Sequence, residues 1–136
     1  MATILNAVSG TGLTQTADGS GVIKLQSNGV TTNALAWVNF NGTSATPITP
    51  RANYNISSVT KNGTGDYTLN FTSALSDANY SFAGGATGSS GWYGVVSCTS
   101  IANQTATALR VLVWTSNGST QYAIDVGAVN VAIFGN

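Results

Sequence analysis

The sequence predicts an all-β protein, an antiparallel β-sandwich or jelly-roll-like domain of about eight to nine short strands. Apolar residues recur with period two in short runs, and clusters of Gly, Asn, Asp and Ser bound those runs. No run sustains the three-to-four spacing of a helix, so very little helix is expected. With 136 residues, the chain has the size of one domain. Residues 1–21 read as an N-terminal attachment arm and residues 22–136 as the β-rich module.

Taken in order, the arm ends in Asp18-Gly19-Ser20-Gly21, a turn cluster in which glycine supplies backbone conformations closed to other residues. Residues 22–26 and 35–40 read as strands on either side of a turn at Ser27-Asn28-Gly29. The polar stretch 41–50 interrupts pairing, because Pro47 and Pro50 lack the amide hydrogen that a ladder needs. It is expected at an edge or tip. The clearest hairpin runs from 54–60 through a turn at 61–66 to 67–72, with Tyr67, Leu69 and Phe71 on one inward face.

Residues 75–79 are expected to make one helical turn, and a strand starting at 80–82 runs into a glycine-rich stretch, 84–91, read as a mobile loop or hairpin tip. Strands follow at 92–98, 105–115 and 121–126, with Ser116-Asn117-Gly118 as a turn, before the closing apolar run 130–134. In residues 109–114 both faces of the strand are largely apolar, although a lone antiparallel sheet keeps one face wet. Either a second sheet of the same chain or a neighbouring subunit must cover it.

Charged residues are 6% of the chain, against roughly 25% in an ordinary soluble domain, and the formal net charge is +0. A protein this close to neutrality has no long-range repulsion to keep copies apart, which suits a part fixed into an assembly. Lys24, Arg51, Lys61 and Arg110 are scattered and balanced by Asp18, Asp66, Asp77 and Asp125. A surface that tracks nucleic-acid phosphates is therefore not expected. Residues 1–7 lack the basic start and apolar run of a secretory signal, and no stretch of about 18 apolar residues offers a membrane span. Cys98, the single cysteine, follows Val95-Val96-Ser97 and reads as a half-buried packing residue.

Without His or Glu, the usual general base, zinc-ligand pairs and nucleophile–histidine arrangements cannot be assembled. A non-enzymatic protein without cofactors is expected. Two aspartates brought together by subunits could still hydrolyse a glycoside, but Asp66 follows Gly65 just before a strand and reads as a turn-fixing carboxylate. The 84–91 stretch lacks the Gly-Lys-Ser/Thr ending of a phosphate loop. Most of Trp37, Trp92, Trp114 and the five tyrosines are expected in the core, with Trp92-Tyr93 the best candidate for an exposed pair able to stack on a sugar ring.

The string Ala36-Trp37-Val38-Asn39-Phe40-Asn41-Gly42, then Tyr54-Asn55-Ile56-Ser57-Ser58-Val59-Thr60, then Asn62-Gly63-Thr64-Gly65-Asp66-Tyr67-Thr68-Leu69-Asn70-Phe71, resembles a module of tailed-phage fibre and other virion structural proteins. Asp77-Ala78-Asn79-Tyr80 and Val129-Asn130-Val131-Ala132-Ile133-Phe134 are similar to the same family's ending, so the likeness runs over roughly residues 36–134. It implies a homotrimer at the end of a fibre or spike, with no catalytic site to carry over and host-receptor contact through apical loops. The candidate contact residues are Thr46, Pro47 and Pro50 in the first loop and Gly88, Ser89, Trp92 and Tyr93 around the second.

The implied partners are further copies of the chain, other phage tail or capsid proteins, and a host-surface glycan, with neither nucleic acid nor membrane. The implied place is the virion surface, tail or capsid, after synthesis in the bacterial cytoplasm. A capsid decoration protein clamping the shell is the main alternative, and a glycan-binding module the next. A long fibre shaft is not expected, since Met1 stands only a few tens of residues before the module.

Overall fold

The computed structural model describes residues 26–27, 30–88, 93–98, 100–116 and 118–135. A small hairpin, β1 (Gln26–Ser27) with β2 (Val30–Thr31), flanks the turn expected at 28–29 and pairs apart from the main sheet. The main sheet holds β3 (Ala36–Phe40), β4 (Ala52–Tyr54), β5 (Ile56–Gly63), β6 (Asp66–Phe71), β7 (Ser81–Thr87), β8 (Tyr93–Ser97), β9 (Ala108–Ser116), β10 (Gln121–Ala123) and β11 (Ala128–Phe134). Its order is β4-β3-β11-β7-β8-β9-β6-β5, with β10 added on β9. Every pairing is antiparallel. The expected strand at 22–26 lies outside the described residues except for Gln26.

The two terminal strands of that order, β4 and β5, are separated in the chain only by Asn55. Asn55 takes a left-handed conformation, φ 54°, which asparagine tolerates better than most side chains. A sheet whose two ends join through one residue has to curl, and it is nearly closed into a barrel. The 41–50 loop helps to close the seam: Ile48 bridges Val59 on the free edge of β5, its amide donating to Val59 O at 3.1 Å. The edge position expected for this proline-bearing loop is thus observed.

Alternation fills the interior. Ala36, Val38 and Phe40, then Tyr67, Leu69 and Phe71, then Leu109, Val111 and Val113, and finally Val129, Val131 and Ile133 all point inward and are buried. Phe40 and Tyr67 meet edge to face with centroids 5.0 Å apart. The inward face expected for the hairpin is the one observed. Cys98 is half-buried against this core, and its thiol donates to Ser100 O.

Other expectations are corrected. Residues 72–80 form no helical turn; the Asp77 carboxylate accepts from the Asn79 amide at 2.6 Å, a local bond that competes with helix. Gly84 and Gly85 belong to β7, paired with Val131 and Asn130, so this part of the glycine-rich stretch is ladder rather than loop. A Cβ on Gly84 would lie 2.9 Å from Val96 Cβ and 3.0 Å from Asn130 O. Glycine is there for close approach. Strand β9 starts at Ala108, three residues later than expected, because a short 3₁₀ turn, Ile101–Asn103, and its exit occupy the approach.

The two ends of the barrel are closed differently. At the lower end, Tyr80 Oη donates to Thr105 O (3.2 Å) and Ala108 O (3.3 Å), and Gln104 Nε2 donates to Ala78 O and Tyr80 O. Asn55 Nδ2 reaches Leu35 O and Ser73 O there, and its Oδ1 accepts from the Ser73 amide. The upper end is closed by charge.

Candidate functional site

At the upper end the β5–β6 turn, the start of the 41–50 loop and the β10–β11 connection converge on Asp125. Its Oδ1 accepts from the Gly65 amide at 2.8 Å and from Tyr67 Oη at 2.7 Å, and its Oδ2 takes Lys61 Nζ at 2.6 Å. Lys61 Nζ and Tyr67 Oη both also donate to Gly42 O, at 3.2 and 3.0 Å. Register explains the convergence. Lys61 stands opposite Tyr67 and two residues beyond the inward Val59, so its stem crosses the barrel mouth.

Two glycines make room for this network. Gly42 packs so closely that a Cβ there would come 2.5 Å from Tyr67 Oη. Gly65 has φ +65°, and a Cβ on it would fall 2.4 Å from Val113 O. Burial alone would raise the Asp125 pKa, but the Gly65 amide, Lys61 and Tyr67 together hold it below the usual carboxylate range. The same burial, reinforced by that carboxylate, pushes the Tyr67 phenol far up. Carboxylate and neutral phenol therefore coexist at neutral pH.

Above this network lies a cavity of about 380 Å³. Asn41 and Thr43 border it on one side, Gly88 on another, and the 122–127 segment, with Tyr122, Asp125 and Gly127, forms the rest. Asn41 Oδ1 accepts from both the amide and the hydroxyl of Thr43, an Asx-type turn that fixes this wall.

A separate feature lies on the outer face of the sheet. Tyr54, Trp37, Ala132 and Ala83 form one cross-strand row, and Asn39, Asn130 and Gly85 form the next. Trp37 and Tyr54 are 39% and 38% exposed, Phe134 at the end of β11 is 41% exposed, and the small residues beside Trp37 leave a shallow groove. Asn39 donates to Asn130 across this face. Four steps around the strand order from β3, the outer face of β9 presents Trp114, half-buried, opposite Val95, which is 51% exposed. Trp114 Nε1 donates to Ser97 Oγ at 2.9 Å.

Of the residues expected to make contacts, Gly88 lines the upper cavity, and Thr46 and Pro47 are exposed nearby, with Thr46 Oγ1 donating to Lys61 O. Pro50 lies lower on the barrel wall, half-buried, beside Arg51, whose amide donates to Asn39 O. Ser89, Trp92 and the Tyr93 side chain lie outside the described residues. The expectation that most tryptophans are core residues is corrected at Trp37, which faces outward because Ala36, Val38 and Phe40 take the inward positions. The turn-fixing role expected for Asp66 is corrected: its carboxylate pairs with Arg110 across the β6–β9 ladder, Nε to Oδ1 at 2.9 Å, and accepts from the Asn62 side chain. The Arg110 guanidinium holds its carboxyl below the usual range.

Sequence reasoning missed the Lys61–Asp125 pair, whose members are 64 residues apart. A lysine at an inward register position was the available signal. Among the described residues no group of three or more His, Cys, Asp or Glu gathers as a metal site, and no helix is long and apolar enough to cross a membrane. Neither a family model, nor a curated protein, nor a solved structure matches the chain.

Proposed function

We propose that this chain is a non-enzymatic structural protein of a bacteriophage particle. It acts as a homotrimeric tail-fibre or short-appendage β-module on the virion surface, positioned to contact the host. The observation that carries the reading is the pair of apolar outer patches, Trp37 with Tyr54 and Trp114 with Val95, on opposite sides of the barrel. A single patch matched to itself gives a two-fold dimer, whereas two different patches that meet head to tail give a ring such as a trimer where the rotation between copies closes, and an open filament where it does not. Near-neutral composition removes the repulsion that opposes such packing.

The carboxylates support a structural rather than a catalytic role. Asp66, Asp77 and Asp125 each accept hydrogen bonds that hold a ladder, a turn or the barrel mouth. A capsid decoration protein is the second reading, favoured by the 6% charged composition, which suits a part permanently seated in a shell.

Sedimentation at dilute concentration tests the assembly. A trimer of the 13.8 kDa chain is expected, and Trp37→Lys should shift it to the single-chain species; a wild type that is monomeric throughout overturns the proposal. Quantifying the chain against the major capsid protein in purified particles separates the two locations. Hundreds of copies would mean decoration, tens or fewer an appendage, and none at all would remove the protein from the virion.

A further inference from the structure

We infer that the upper cavity is a binding site for a neutral, hydroxyl-rich ring, a monosaccharide unit of a glycan. This identifies a ligand site that the assembly proposal does not require, since the cavity is lined by residues of one chain and none of them belongs to either outer patch. The volume, about 380 Å³, falls within the range of small-ligand pockets. Its lining combines what such a ring needs. Tyr122 and Ile124 offer apolar surface for the C–H face of a sugar, while Asn41, Thr43 and Asp125 offer polar atoms for its rim.

Asp125 is the decisive group. Its Oδ2 accepts from Lys61 Nζ at 2.6 Å, and a carboxylate oxygen can accept more than one hydrogen bond. The side chain keeps 25% of its surface exposed although three groups grip it, so it presents a fixed acceptor to the cavity rather than a mobile one. Because Lys61 neutralises it, the site favours an uncharged hydroxyl over a cation, and the acceptor costs no reorganisation on binding. Thr43 and Asn41 are locked to each other, so the opposite wall is preformed too.

Gly127 keeps the space open. Among the described residues, a Cβ built there meets nothing nearer than Thr87 O at 4.0 Å, so a side chain can enter the cavity without backbone strain. Gly127→Val should therefore fold normally and block the site. Tyr122→Leu, which keeps bulk but removes the flat π face, provides a second and independent lesion.

The test is amide chemical-shift titration of the full chain with the methyl glycosides of glucose, galactose, mannose and N-acetylglucosamine. Saturable shifts are expected for at least one glycoside at Thr43, Gly88, Ile124 and Gly127, with an affinity on the order of millimolar. Gly127→Val should abolish them at unchanged melting temperature, and Tyr122→Leu should weaken them about tenfold. No saturable shift at about 50 mM of any of the four, shifts centred on the Trp37 face instead, or binding that survives both variants overturns the inference. Repeating the titration on Trp37→Lys separates the two readings: a monomer that still binds leaves this site standing while bearing on assembly alone.

Discussion

Both ends of the barrel are closed by a buried tyrosine, and the company each tyrosine keeps is different. Tyr80 at the lower end donates to two backbone carbonyls, and its own carbonyl accepts from the neutral amide of Gln104. Tyr67 at the upper end donates to a carboxylate that a lysine and a backbone amide also grip. The lower end is a seam, sewn by groups that stay uncharged at any ordinary pH. The upper end is a preorganised electrostatic cluster beneath a cavity. With only 6% charged residues, the protein has, among its described residues, one ion pair at the barrel mouth and another, Arg110–Asp66, on the outer ladder. Charge is spent where it fixes the geometry of an opening.

The largest expected effect comes from breaking the upper cluster through its backbone. Gly65→Ala places a Cβ 2.4 Å from Val113 O at a left-handed φ, and it displaces the amide that Asp125 accepts. Strain of this kind costs about 1–3 kcal/mol before the clash is counted. A loss of about 3 kcal/mol or more is expected, read as a fall in denaturation midpoint. Gly63→Ala, two residues earlier with open space around it, is the control and should be near neutral.

Removing the two hydroxyls compares the ends directly. Tyr67→Phe deletes bonds to Asp125 and Gly42 O at a fully buried position, and hydrogen bonds to charged groups contribute roughly 1.5–3 kcal/mol. Tyr80→Phe deletes only two long bonds to carbonyls, for about 0.5–1.5 kcal/mol. Parallel urea denaturation should rank Tyr67→Phe as the more damaging. Equal losses, or the reverse order, would mean that the charged partner adds nothing at the upper end.

How much of this was legible in the residues depends on sequence distance. The inward faces of β3, β6 and β9 follow from alternation, and Trp37 could have been placed outside by counting from Ala36, Val38 and Phe40. The mistake at Gly84 and Gly85 came from reading glycine as flexibility, when the side of β7 facing Val96 leaves no room for a Cβ at Gly84. Arg110 meets Asp66 only because β9 is the neighbour of β6, and Asp125 meets Lys61 only because the sheet curls. Periodicity reports which way a side chain points. It carries no information on which strand lies alongside, so the Lys61–Asp125 cluster and the cavity above it follow only from the fold.

The smallest expected effect is on pH dependence, and it sharpens the same contrast. Asp125 and Asp66 both have carboxyl pKa values lowered below 3.8 by folding. Their contribution is fully present above the unfolded-state value and is lost as pH falls through the lower folded-state value. Stability should hold from neutrality down to about pH 5 and then decline toward pH 2, the range in which unfolded carboxyls and then folded ones protonate. Both groups are partly open to solvent, which screens them and keeps the decline below the effect of Gly65→Ala. Asp125→Asn should lower stability at neutral pH and flatten the acid limb, because the amide retains bulk while neither titrating nor pairing with Lys61. Gln104→Ala at the lower end should lower stability by a similar amount at every pH and leave the slope of the acid limb as it is in the wild type. An acid limb unchanged by Asp125→Asn would place the titrating groups elsewhere and remove charge as the distinction between the two ends.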